Sequence, residues 1–209
     1  LTTVNWADSI TRIGEYAFYD TSLGKLTDGV LEFPDNIAKI EDCSFGNCAY
    51  ITSVTNIGNL ASCNELISAS WSRPPFYKTP VETASFKEGC TYVAENLFES
   101  QSSLKTINFS STITEIKYQA FRNCTGLESV TLTDNIATFG AYVFCGCTNL
   151  TEVNNIHVSR LTNSDQEPFG TKDAKLTTLR FGEGATLVPW NFANGVTSLT
   201  TVELPSTMT

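Results

Sequence analysis

Basic residues are scarce in this chain. Thirteen Lys and Arg stand against 22 Asp and Glu, for a net charge of −9 over 209 residues. No Lys/Arg cluster interrupts that acidity, which argues against a nucleic-acid partner, because phosphate-backbone binding relies on basic patches. There is one His and one Met. His157 has neither a metal-ligand spacing nor a nucleophile motif near it and reads as a solvated loop residue. No phosphate-cradling glycine loop is present, and Gly182-Glu183-Gly184 reads as a turn. Carboxylate neighbours such as Glu41/Asp42 and Asp165/Glu167 follow from composition, with nothing setting a raised acid opposite a base. No enzyme activity and no cofactor are expected. Apolar runs are too short to cross a bilayer, so no membrane insertion is expected. The seven Cys (43, 48, 63, 90, 124, 145 and 147) are odd in number and irregular in spacing. They contain no CxxC pair, so neither a disulfide framework nor a zinc site is implied.

What the chain has instead is a period. Leu104, Ile107, Phe109, Ile113, Ile116, Phe121 and Cys124 are followed 23 residues later by Leu127, Val130, Leu132, Ile136, Phe139, Phe144 and Cys147. An apolar template recurring at that interval marks a stacked-coil protein, in which each repeat is one turn and its neighbours complete its core. With the first anchor as offset zero, apolar residues are expected at +3, +5, +9 and +12 and Phe at +17. Coils begin at Leu1, Asp28, Ile51, Val81, Leu104, Leu127, Leu150 and Leu176, and a partial ninth begins at Leu199. Because Leu1 already lies inside a coil, the chain reads as a piece of a longer protein.

Offsets +3 and +5 point inward from a Thr- and Ser-rich segment, the pattern of a short strand, and stacked copies form a parallel sheet. The return half is too short and too rich in turns for a long helix, so strand, 3₁₀ or a single helical turn is expected there. The Phe column (18, 45, 98, 121, 144) reads as a buried aromatic spine, each ring worth roughly 1.5–3 kcal/mol. Cys48, Cys124 and Cys147 share one phase and read as stacked buried thiols, with a bridge between stacked neighbours such as Cys124 and Cys147 as the alternative.

The phrases Ile13-Gly-Glu-Tyr-Ala-Phe18, Ile116-Lys-Tyr-Gln-Ala-Phe-Arg-Asn-Cys124 and Leu127-Glu-Ser-Val-Thr-Leu132 resemble the BspA-like leucine-rich repeats. The resemblance covers nearly the whole chain and weakens near 57–80 and 156–170. Its Ile-Pro step survives as Phe33-Pro34 and Leu204-Pro205. It implies an α/β-class, β-rich leucine-rich-repeat solenoid, right-handed, with a curved parallel sheet, forming a single domain over residues 1–209. It also implies a bacterial or protist cell-surface protein, usually non-enzymatic and used for adhesion or recognition.

Two surfaces are candidates. The outward +4 column of the sheet reads Asn5, Glu32, Thr55, Ser85, Asn108, Thr131, Asn154, Arg180 and Glu203. It is polar, small and almost without aromatics, so it is either a solvated face or a broad surface for a protein ligand. The second candidate is the insert near 64–80, where Ser68 to Pro80 carries Trp71, Arg73, Phe76 and Tyr77. It could project as a stacking surface for a glycan or a protein, with Arg73 and Tyr77 exposed. Alternatively, Trp71 or Phe76 replaces the Phe missing from the spine. The insert near 156–170 reads as a polar loop. Sequons at Asn108, Asn123 and Asn149 are what an Asn-, Ser- and Thr-rich chain yields by chance. The expected function is a non-catalytic, monomeric extracellular module binding a protein. The alternatives are glycan binding centred on Trp71–Tyr77, or a structural spacer.

Overall fold

In the computed structural model, which describes residues 1–61, 73–162, 167–170 and 174–208, the chain winds as a parallel β-solenoid of about eight turns. The described residues form 14 short strands and no helix. Numbered in chain order, the front strands are β2 (Val30–Glu32), β4 (Ser53–Ile57), β5 (Thr83–Phe86), β7 (Thr106–Asn108), β9 (Ser129–Thr131), β11 (Glu152–Ile156), β13 (Thr178–Phe181) and β14 (Thr201–Glu203). The back strands are β1 (Arg12–Ile13), β3 (Lys39–Ile40), β6 (Tyr92–Val93), β8 (Glu115–Ile116), β10 (Thr138–Phe139) and β12 (Arg160–Leu161). Pairing is parallel throughout, with +3 residues opposite one another, as in Leu31↔Val54, Ala84↔Ile107 and Val130↔Val153.

Between them the Phe rings stack. Phe18, Phe45, Phe76, Phe98, Phe121, Phe144 and Phe169 form one column with successive centroids 5.4–6.1 Å apart. Phe76 therefore fills the gap between Phe45 and Phe98, and at that point the insert supplies core. Trp71 lies outside the described residues. The column turns at the eighth coil, where Phe192 meets Phe169 edge-on and stacks against Phe139 instead.

Among the described residues the return half holds the short strands expected there, joined by turns in place of 3₁₀ or helical segments. Around Phe18, Phe45, Phe98, Phe121 and Phe144 the backbone alternates right- and left-handed, with positive φ two residues before and two after the ring. Tyr16 and Asp20, Asn96 and Ser100, and Gln119 and Asn123 are such pairs. That alternation turns every second amide toward the following coil. Phe98 and Phe121 thus donate to the carbonyls of Ala120 and Val143 at 2.9 and 3.1 Å. The left-handed residues are strained, and this ladder of inter-coil bonds fixes them.

The thiol column proves to be a column of hydrogen-bond donors. The residue three beyond each Phe reaches the carbonyl of the Phe one coil earlier. Cys48, Cys124 and Cys147 do so through Sγ, to Phe18, Phe98 and Phe121. Thr79 and Gln101 take the same part through Oγ1 and Nε2, to Phe45 and Phe76. The six cysteines among the described residues are free thiols, and Cys63 lies outside them. Burial pushes the Cys147 thiol up to about 12 and the Cys124 thiol well above its ordinary value.

The front sheet departs from a simple repeat in two ways. It is two four-stranded sheets: β7 and β9 are not paired, although β8–β10 pairing and the Phe stack continue through the same coils. The break falls between the two repeats that match the template best. In the first coil, residues 2–6 form no strand, and the Trp6 indole N–H donates to the Glu32 carbonyl at 2.9 Å. A cleft of about 590 Å³ lies between that segment and β2.

Candidate functional site

The sheet face divides chemically along its length. Toward the C-terminal end it is tied up in its own interactions. Arg180 pairs with Glu152 at 2.7 Å and Glu203 at 3.0 Å and donates to Asn154 Oδ1 at 3.0 Å. Asn154 in turn donates to Glu152. The Arg180 and Asn154 bonds hold the Glu152 carboxyl below the usual range. Arg180 and Asn154, both candidate ligand-binding residues, are thus engaged within the sheet, because adjacent strands bring Arg180 against Glu152 and Glu203 and put Asn154 between. Asn108 is engaged too, donating to Ser85 Oγ at 2.9 Å. Glu32 lines the first-coil cleft, and Asn5 stands exposed on the unpaired segment before it.

The middle of the face is different. Thr55, Thr106, Ser129 and Thr131 carry hydroxyls with no side-chain partner among the described residues. Between β7 and β9 lies a cleft of about 220 Å³ lined by Lys105, Thr106, Ile107, Ser129, Val130 and Thr131. Ile107 is only half-buried there, whereas its +3 counterparts Val54, Ala84, Val130 and Val153 are buried. Lys105 is paired with Glu82 at 3.0 Å across the sheet surface.

Two front strands carry a bulge that simple offsets miss. In β4 and β11 an extra Asn, Asn56 or Asn155, sits at φ 58° or 57° and shifts the register, so the inward residue is Ile57 or Ile156. Each Asn side chain donates backwards. Asn56 reaches the Phe33 carbonyl and Asp35 Oδ1 at 2.7 and 3.0 Å, and Asn155 reaches the Leu132 carbonyl and Asp134 Oδ1 at 2.9 and 2.8 Å. A basic side chain completes each cluster. Lys87 crosses Gly58 to pair with Asp35 at 2.9 Å. His157 Nε2 lies 3.2 Å from Asn155 Oδ1 and 3.6 Å from Asp134 Oδ1, where a Cβ on Gly182 would collide with it. His157 is therefore a packed, half-buried member of a repeated surface cluster and not a solvated loop residue. The sequence signal was available: Asn56-Ile-Gly and Asn155-Ile-His stand at the same phase, each 21 residues after an Asp.

At the insert, Arg73 and Tyr77 are both half-buried and contact each other, the guanidinium lying 4.3 Å over the Tyr77 ring. Tyr77 is not a bare stacking platform, since Lys78 stands 5.4 Å from the same ring. The described residues contain no group of three or more His, Cys, Asp or Glu placed to hold a metal ion. They likewise contain no helix long and apolar enough to cross a membrane.

One solved structure shares the fold, and others are similar to lesser degrees. A leucine-rich repeat protein from Bacteroides ovatus ATCC 8483 is 22% identical with TM-score 0.63, over 86% of this chain and 43% of that one. This chain therefore spans less than half the length of that relative. The T. pallidum leucine-rich repeat protein TpLRR is 16% identical with TM-score 0.47, over 85% of this chain and 71% of that one. The pneumococcal vaccine antigen PcpA is 14% identical with TM-score 0.44, over 95% of this chain and 57% of that one. No curated protein matches the chain. The family model described as a BspA type leucine-rich repeat region matches residues 1–68 and 70–192 in six copies. The chain belongs to the BspA-type leucine-rich repeat family.

Proposed function

We infer that the chain is a non-catalytic extracellular recognition module that binds a protein ligand through the middle of its sheet face. The observation carrying this reading is the set of uncommitted hydroxyls at Thr106, Ser129 and Thr131 lining the β7–β9 cleft, with Thr55 two strands away on the same face. A solenoid presents such a face as an extended surface. Here it is rigidly backed by the ring stack, so little ordering cost accompanies docking. The C-terminal third, with its charges internally paired, acts as a rim.

The test is a panel of immobilised extracellular-matrix proteins probed with the wild-type chain and with Thr106→Arg/Thr131→Arg. An Arg pair projects bulk and charge over the cleft without entering the core. Loss of a bound partner in that variant, with the thermal transition intact, is the expected result. Undiminished binding would place the ligand elsewhere, and no binding to any protein would leave the chain as a spacer.

A further inference from the structure

At the other junctions of the front sheet one carbonyl anchors the next strand. The Gly29 carbonyl accepts from Thr52 and Ser53, that of Glu82 from Lys105 and Thr106, and that of Thr177 from Thr200 and Thr201. At the β7–β9 junction the counterpart is the Lys105 carbonyl, and neither Glu128 nor Ser129 donates to it. Just past the strands the same lapse recurs. Phe33 and Leu132 donate to the Thr55 and Asn154 carbonyls of the following coil, but Phe109 makes no such bond to Thr131. Among the described residues, the Glu128, Ser129 and Phe109 amides and the Lys105 and Thr131 carbonyls thus face the cleft without a hydrogen-bond partner.

The core shows at the same place. Ile107 and Phe109, the two inward residues of this coil, are half-buried. Their counterparts are buried, Val54, Ala84 and Val153 at one phase and Phe33, Phe86 and Leu132 at the other. The opening is also bounded. Before β9 the coils touch at Gly126, where a Cβ would fall 2.6 Å from the Ser102 carbonyl oxygen. Beyond it Asn135 Nδ2 donates to the Ser111 carbonyl at 2.7 Å, and behind it β8 and β10 pair. The result is a slot one strand long, shut at both ends and at the back and open to solvent at the sheet face.

We propose that this slot takes up a short extended segment of a protein ligand as an added strand between β7 and β9. The proposal rests on the sheet-face reading and names the form in which the ligand binds. The fold itself specifies what fits. At the other junctions the same backbone groups and the same two inward phases are met by a strand that carries an apolar residue, a small polar one and a second apolar one, as in Val130-Thr131-Leu132. The segment therefore has that alternation over three residues, with its flanks turned out to solvent where the coils close at Gly126 and Asn135. Main-chain bonds to the two edges give affinity, and cover for Ile107 and Phe109 gives specificity. Hinging on the paired β8–β10 back lets the front edges part to roughly twice the ordinary strand spacing of about 4.8 Å.

The experiment uses three short, capped, fluorescent peptides and the intact chain. One alternates threonine with valine and phenylalanine, one has the same composition with the apolar residues adjacent, and one is the alternating peptide N-methylated at every second amide. Anisotropy should show saturable binding of the first and binding roughly tenfold or more weaker for the other two. The Ser129 and Phe109 amides should exchange with deuterium faster than Ser53 and Thr106 in the free chain and slow when the alternating peptide is bound. Ser129→Pro removes one cleft-facing N–H that bonds nothing, so the fold should tolerate it while the peptide weakens. Should that variant melt early, the N-methylated peptide asks the same question of the wild-type chain. Equal binding of the three peptides, no binding of any, or slow exchange at Ser129 and Phe109 in the free chain would each overturn the proposal. A matrix protein lost in Thr106→Arg/Thr131→Arg while the alternating peptide fails to bind would overturn the added strand and keep the sheet-face reading.

Discussion

The Sγ of Cys124 lies 3.0 Å from the carbonyl oxygen of Phe98, 26 residues earlier and one coil below, and donates to it. Five successive positions in this column make the same bond with three chemistries: thiol, hydroxyl and carboxamide. What the column requires is a donor of modest size. The spine carbonyls of Phe76, Phe98 and Phe121 each accept one backbone N–H from their own coil, and the column supplies the second donor from the next.

Substitution of Cys124 by Thr and by Val separates donor from volume. Thr79 already performs the task in another coil, so Cys124→Thr should stay near wild type. Cys124→Val should lose about 0.5–1.5 kcal/mol, because the Phe98 carbonyl loses the thiol and keeps only the Gln101 N–H at 3.2 Å. Urea unfolding of both variants checks the difference, and equal losses would mean that packing alone governs the position.

Alkali should act through the same thiols. Cys124 and Cys147 are raised in the folded chain, whereas an unfolded Cys titrates near about 8.5. A raised folded pKa contributes stability that is complete below the unfolded value and declines as pH climbs toward the folded one, about 12 for Cys147. The melting temperature should therefore fall between pH 8.5 and 11, and fall less steeply in Cys124→Ser/Cys147→Ser. Parallel curves for wild type and variant would contradict this.

Phe76 should matter as much as the spine residues that repeat on schedule. Its ring stacks 5.5 Å from Phe45 and 5.4 Å from Phe98 and is fully buried. Phe76→Ala should cost about 3–5 kcal/mol, and Phe76→Leu less, because Leu refills most of the space. A near-neutral Phe76→Ala, measured by thermal or urea unfolding, would mean that the insert is dispensable to the core.

Asn56 combines a left-handed backbone with two side-chain bonds. Asn56→Gly keeps the conformation and loses the bonds, while Asn56→Ala loses both. Stability should fall in the order Asn, Gly, Ala, with the last step adding about 1 kcal/mol. The order can be read from urea midpoints, and Ala above Gly would show that the bulge relaxes freely.

Glu152 and Glu203 flank Arg180 on the sheet face. Arg180→Ala should leave a bound protein partner in place and change stability little, since these pairs are solvent-exposed. Binding measured beside Thr106→Arg/Thr131→Arg tells rim from centre. A larger loss of binding in Arg180→Ala would move the docking site to the C-terminal third.

The period determined the path of the chain. Apolar residues at fixed offsets can be buried only by the coil above and below, so stacking, parallel pairing and the Phe spine follow from Leu104–Cys147 alone. The Asn56 and Asn155 bulges were half legible: the two Asn stand in phase, but the offset they displace shows only when Ile57 and Ile156 are seen facing inward. Of the expected site residues, Thr55 and Thr131 remain available, whereas Asn108, Asn154 and Arg180 are taken by neighbours from the adjacent strand. Sequence spacing lists these as a column without saying which members bond to one another.

By itself, then, the sequence decided that the chain coils, where each coil begins and which side chains have no home but the interior. Only the tertiary structure decided where neighbouring coils fail to pair, at β7–β9 and ahead of β2, and which surface groups keep free valences. The apolar pattern is a property of one coil and is written in it. The closeness of two coils depends on ring sizes, bulges and inserts accumulated across both, and no single repeat carries that sum.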